Sequence, residues 1–94
     1  MPSARKNMPT VFIPSLLRSL TGGQTEMSIP GATVSEVIAE LESRYPGLTG
    51  RLCADGRIRP GMAVAVDGLV STIGLRHRLS PTSEVHFLPA INGG

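Results

Sequence analysis

Thr33-Val34-Ser35-Glu36-Val37-Ile38-Ala39-Glu40-Leu41-Glu42-Ser43-Arg44-Tyr45-Pro46-Gly47 is the stretch on which the fold turns. Thr33 suits an N-cap and Glu36 follows three residues later, which makes a capping box. Val34, Val37, Ile38, Leu41 and Tyr45 recur at helical spacing and form one apolar stripe. Glu40, Glu42, Ser43 and Arg44 fall away from it. Pro46-Gly47 stops the run, so the spacing predicts a helix from Val34 to Arg44. One stripe needs one apolar surface to cover it, and the flanking sequence must supply that surface.

Upstream, Thr10-Val11-Phe12-Ile13 is β-branched and aromatic and lies between Pro9 and Pro14. It reads as a strand that continues through Leu16 and Leu17. Thr21-Gly22-Gly23-Gln24 reads as a turn. Thr25-Glu26-Met27-Ser28-Ile29 alternates polar and apolar residues, as a half-buried strand does. These two strands are expected to form a hairpin ahead of the helix. Residues 1–8 read as a flexible lead-in.

Downstream, residues 47–61 read as a loop with a turn at Asp55-Gly56 and anchors at Leu52 and Ile58. Ala63-Val64-Ala65-Val66 reads as a strand, closed by the turn signal Asp67-Gly68. Residues 69–75 hold a short edge strand, and residues 79–83 a loop. Glu84-Val85-His86-Phe87-Leu88 is the last strand. Hairpin, helix and further strands give an α+β domain over residues 9–89, with one helix across a sheet of four to five strands. Val11, Ile13, Met27, Ile29, Val64, Val66, Val85 and Phe87 are the candidates for the apolar face.

Composition limits the function. At 94 residues the chain makes one small domain, and a deep enclosed active site is not expected. Cys53 is the only cysteine, which fits a reducing cytoplasm and leaves no intrachain disulfide. The N-terminus lacks the apolar run of a signal peptide, and no segment reads as a membrane span. Cys53, His77 and His86 have no metal-ligand spacing, and no nucleophile elbow or phosphate loop occurs. No catalytic residue and no bound metal or cofactor is expected on the chain itself. His86, beside Val85 and Phe87, belongs on the other sheet face as a surface histidine rather than a ligand. Arg76-His77-Arg78 with Arg57 and Arg59 makes a modest basic patch. Stacking aromatics are too few for nucleic acid, so a solvated face or an acidic protein partner fits it better.

The ending Pro89-Ala90-Ile91-Asn92-Gly93-Gly94 is the strongest functional signal. It follows the last strand directly, and Pro89 keeps the exit extended. A role-free terminus is the plain alternative. Glycine has no Cβ, so Gly93 and Gly94 can thread a narrow channel in another protein. The Gly94 carboxylate is a poor electrophile, but an acyl-adenylate would be open to a sulfur nucleophile. ATP, Mg²⁺ and the catalytic groups would belong to the partner. Gly93, Asn92 and Ile91 would then enter the partner's site. Phe87 and Pro89 are candidates for docking at the root of the tail, with the core as the competing place for Phe87.

The Thr21–Gln24 turn, the helix ending in Pro46-Gly47, Ala63-Val64-Ala65-Val66-Asp67-Gly68 and the strand-Pro-Ala-x-x-Gly-Gly ending together resemble the MoaD/ThiS family of ubiquitin-like sulfur carriers. The likeness spans about residues 8–94, and the Leu16-to-Gln24 segment looks most like the CysO-like carriers of cysteine synthesis. The resemblance implies a β-grasp fold. It implies adenylation of Gly94 by an E1-like enzyme of the MoeB/ThiF type and conversion to a thiocarboxylate. The acceptor in that branch would be a PLP-dependent cysteine synthase, with a metalloprotease trimming the adduct. Molybdopterin or the thiamin thiazole receives the sulfur in other branches. A ubiquitin-like modifier joined to target lysines and a non-covalent small subunit are the alternative roles. Where many relatives have an Asp-Gly-Asp turn before the last strand, this chain has Ser80-Pro81-Thr82-Ser83.

Overall fold

The computed structural model describes residues 8–89. Strands β1 (Thr10–Phe12) and β2 (Glu26–Ser28) precede helix α1 (Val34–Arg44). A one-turn helix α2 (Thr49–Leu52) follows, then the small pair β3 (Cys53–Ala54) and β4 (Arg57–Ile58). Strands β5 (Met62–Val66), β6 (Leu69–Val70) and β7 (Glu84–Pro89) complete the domain. The main sheet has the order β2-β1-β7-β5-β6. β1 and β7 are parallel, and the other neighbours are antiparallel. This is the β-grasp, with the last strand at the centre of the sheet.

α1 has the bounds its sequence predicts. The Thr33 hydroxyl accepts the Glu36 N–H at 3.2 Å, and the Glu36 carboxylate reaches back to the Ala32 N–H at 2.8 Å. One orphan donor of the first turn is thereby satisfied, together with the N–H of the residue before the cap. Val34, Val37, Ile38 and Leu41 are buried against Val11, Ile13, Ile29, Val64, Val66, Val85 and Phe87. Met27 and Tyr45 pack half-buried at the margin. Register explains the shared face: Val11 pairs with both Met27 and Val85, and Val64 pairs with Phe87. Gly31 lies so near Val37 that a Cβ there would meet its backbone nitrogen at 2.9 Å.

Two expectations need correction. β1 does not continue through Leu16 and Leu17, because Pro14 interrupts it and Ser15–Thr21 coils into a 3-10 helix. Leu17 turns into the core while Leu16 stands out in solvent, 87% exposed. Residues 47–61 are not a plain loop. Leu48 and Leu52, four apart, bury one face of α2, and the Asp55-Gly56 turn joins β3 to β4. The short edge strand expected within residues 69–75 is present as Leu69–Val70, and Gly74–Arg76 is a second 3-10 turn. Asp67 and Gly68 both have positive φ, 53° and 87°, as a tight two-residue hairpin requires. The lead-in (apart from Met8) and the tail 90–94 lie outside the described residues.

Candidate functional site

The tail leaves from the end of β7, so the surface around that end is the candidate site. β7 is held from both sides, by β1 at residues 84–86 and by β5 at residues 85–89. Its start is pinned by Asp67, whose carboxylate accepts the Glu84 N–H at 2.9 Å and the Ser83 hydroxyl at 3.2 Å. Ser83 is buried and also receives the Ser80 N–H at 2.8 Å. The Ser80–Ser83 turn is therefore ordered by hydroxyls linked to the Asp67 carboxylate. Pro89 sits opposite Met62 at the far end. Bonds of an antiparallel strand alternate between its two neighbours, and Asp67 N–H to Glu84 C=O sets the phase. The N–H that Pro89 lacks would point to the β1 side, beyond the last β1 pair, so the proline costs the sheet no bond.

Phe87 and Pro89 separate here. Phe87 is 3% exposed and belongs to the core, so it is not a free docking handle. Pro89 is exposed. Beside it opens a cleft of about 620 Å³ between the 3-10 helix and α2, with Leu16, Leu17, Met62, Leu88 and Pro89 as apolar walls and Arg51 and Arg59 on its border. The 3-10 helix that carries Leu16 is fastened by Leu17 N–H to Pro14 C=O at 2.9 Å and Gly23 N–H to Arg18 C=O at 2.8 Å. Arg18 Nε donates to Ile13 C=O at 3.0 Å. Arg59 donates to Gly50 C=O at 3.1 Å. An exposed leucine on a fastened turn, beside the root of the tail and bordered by arginines, can seat an apolar, acidic-rimmed partner.

Leu16, Met62 and Arg51 are site residues that sequence reasoning missed. Pro14 was the available signal for Leu16: a proline that ends a strand frees the next apolar pair to split between core and solvent. Ile91, Asn92, Gly93 and Gly94 lie outside the described residues.

The other chemistry-bearing side chains have local tasks. His86 stacks on Phe12, ring centroids 4.1 Å apart and 6° from parallel, on the sheet face away from α1. The His77 Nδ1 meets the Ser71 hydroxyl at 2.8 Å. Cys53 is half-buried, and burial pushes its thiol pKa up, away from nucleophilic behaviour. Glu42 is held below the usual carboxylate range, chiefly by the Gly47 N–H at 2.9 Å and then by the Thr49 N–H at 2.8 Å. Of the basic residues, Arg57 and Arg76 border one cleft, and Arg59 borders the root cleft with Arg51. Among the described residues no group of acidic, His or Cys side chains is placed to hold a metal, and no helix is long and apolar enough to cross a membrane.

The ThiS family model matches residues 11–94. The sulfur carrier protein CysO of Mycobacterium tuberculosis is 34% identical over 90 residues, 90% of this chain and 97% of that protein. The small archaeal modifier protein 3 of Haloferax volcanii is 37% identical over 65 residues, 67% of this chain and 71% of that one. Among solved structures, a chain of the Amycolatopsis orientalis BexX/CysO complex superposes with a TM-score of 0.82 at 35% identity, covering 92% of this chain and 99% of that one.

Proposed function

Because the chain belongs to the ThiS family, we propose that it is a sulfur carrier, a protein co-substrate on which partner enzymes act. The observation that carries this reading is the root of the last strand. The central strand delivers Pro89 to the surface beside a fastened apolar cleft, and the Gly-Gly pair begins four residues later.

In the chemistry proposed, a Gly94 carboxylate oxygen attacks the α-phosphate of ATP on an E1-like enzyme of the MoeB/ThiF type, and pyrophosphate leaves. A hydrosulfide ion then attacks the acyl carbon, expels AMP and gives up its proton to solvent, which leaves a thiocarboxylate. Gly94 offers no side chain to hinder that attack. The cleft bounded by Leu16 and Pro89 docks the enzyme, and Ile91, Asn92 and Gly93 lie in its channel. ATP and Mg²⁺ are the activating partner's. Likeness to the CysO carriers supports cysteine synthesis as the destination. The acceptor is then a PLP-dependent cysteine synthase and a metalloprotease trims the adduct, all in the cytoplasm. Deleting Gly94 tests the site. The shortened chain should fold as the full one does and form no adenylate. Adenylate formation at the full rate would place the reactive carboxylate elsewhere.

Likeness to the Haloferax modifier favours one second reading, conjugation of the activated tail to lysines of other proteins. The intermediate is the same up to the adenylate and only the nucleophile differs. Conjugates that survive denaturing electrophoresis would mark that branch.

A further inference from the structure

We propose that Asn92 and Gly93 form a self-modification site, at which loss of ammonia retires the carrier from activation. The chain has two asparagines, Asn7 and Asn92, and only Asn92 precedes a glycine. Asparagine is among the thermolabile side chains. In an Asn-Gly pair the backbone nitrogen of the glycine can attack the carbonyl carbon of the asparagine side chain. The new N–Cγ bond closes a five-membered imide and the Cγ–NH2 bond breaks. Ammonia leaves with the proton that the glycine nitrogen gives up. Water then opens the ring at either carbonyl, which leaves an aspartate or an isoaspartate. Glycine has no Cβ to crowd the attacking nitrogen. At Asn7 the attacking nitrogen would be that of Met8, which carries a long side chain.

The fold restrains the comparable pairs and stops short of this one. Asp55-Gly56 and Asp67-Gly68 place the same atoms in sequence, but a carboxylate is a poorer electrophile than a carboxamide. Both aspartates also hold left-handed turns, at φ 54° and 53°. The Asp67 carboxylate is engaged by the Glu84 N–H at 2.9 Å and the Ser83 hydroxyl at 3.2 Å. Beyond Pro89 the sheet has nothing comparable to offer. β1 gives β7 its last pair at Phe12 and His86, and β5 begins at Met62, opposite Pro89. Pro14 follows β1 and Pro60-Gly61 precedes β5, so neither strand runs on toward Asn92. Asn92 and Gly93 themselves lie outside the described residues, and the reaction follows from their bonding.

The consequence rests on the sulfur-carrier reading. Either product puts a carboxylate two residues before Gly94, in the segment proposed to enter the partner's channel. The isoaspartate also routes the backbone through the side-chain methylene, which lengthens the tail by about 1.5 Å. A misplacement of that size at a reacting group is worth about a hundredfold in rate. Fresh carrier is therefore activated and aged carrier is not, and the Asn-Gly pair sets the lifetime of the tail.

The test ages the full chain in buffer at body temperature and follows its intact mass and its peptides. One NH2 should be exchanged for OH at Asn92, faster at higher pH, with isoaspartate detected by isoaspartyl methyltransferase labelling. Asn92→Gln, which would have to close a six-membered ring, should keep its mass over the same period. No change at Asn92, or a change no faster than at Asn7 or Gln24, would overturn the site. The aged form, separated by its added negative charge, should be adenylated with a kcat/KM about a hundredfold below that of the fresh chain. Adenylation of the aged form at the full rate would overturn the retirement. A fresh chain that forms no adenylate would refute the sulfur-carrier reading and the retirement with it, and the mass change would still decide the modification.

Discussion

Pro89 is held opposite Met62, the first residue of β5, so the last described residue of the domain is still part of the sheet. The tail therefore starts from a residue that the sheet itself positions. This separates residues that fasten the root from residues that meet a partner.

On the proposed function, Leu16 belongs to the second group. It is exposed and sits on a turn whose bonds involve backbone rather than its own side chain. Leu16→Asp should lower kcat/KM for activation by about tenfold or more, while stability changes by less than about 0.5 kcal/mol. Activation at the original rate would remove the cleft from the docking surface.

Phe87 belongs to the first group. It pairs with Val64 and is packed among the α1 stripe residues. Phe87→Ala should cost about 3–5 kcal/mol in denaturant unfolding, the range for emptying a buried aromatic site. A loss of partner binding with unchanged stability would contradict its place in the core.

Thr33 caps α1 through the Glu36 N–H. Thr33→Ala should cost about 1 kcal/mol, and Thr33→Ser much less, because the hydroxyl is what the cap uses. Thermal unfolding of the two variants checks the order.

Glu42 gives a pH dependence with a definite sign. Its carboxylate receives the Gly47 and Thr49 N–H groups, which holds its folded pKa below the ordinary value. The stabilisation is complete above the ordinary carboxylate range and is lost as pH falls through the folded value. The chain should thus exceed Glu42→Gln in stability at neutral pH, and the gap should close in acid. The side chain is near solvent, so the gap should be small. A gap that widens on acidification would reverse the assignment. Urea unfolding at a series of pH values reads it directly.

Much of this architecture was legible in the sequence because its signals are local. Capping at Thr33 and Glu36, the apolar stripe and the Pro46-Gly47 stop define α1 without help from the rest of the chain. The alternation around Met27 and the Asp67-Gly68 turn work at the same short range. Leu16 and Leu17 read as strand because an apolar pair after a proline is compatible with strand or coil, whereas the chain coils there into a 3-10 helix. α2 escaped notice because four residues hold too few periods to show a pattern, although Leu48 and Leu52 carry it. The site was half legible. The Gly-Gly ending is visible in any reading, whereas the candidate cleft joins residues 14–17, 50, 51, 59, 62 and 87–89, which only the fold brings together.

The most direct measurement is the intact mass of the chain after incubation with ATP, Mg²⁺, a sulfur source and a ThiF-type activating enzyme shown to form its adenylate. The account predicts a gain equal to the difference between one sulfur and one oxygen, localised to Gly94 and absent without ATP. An unchanged mass, or a sulfur found on Cys53 instead, would contradict it.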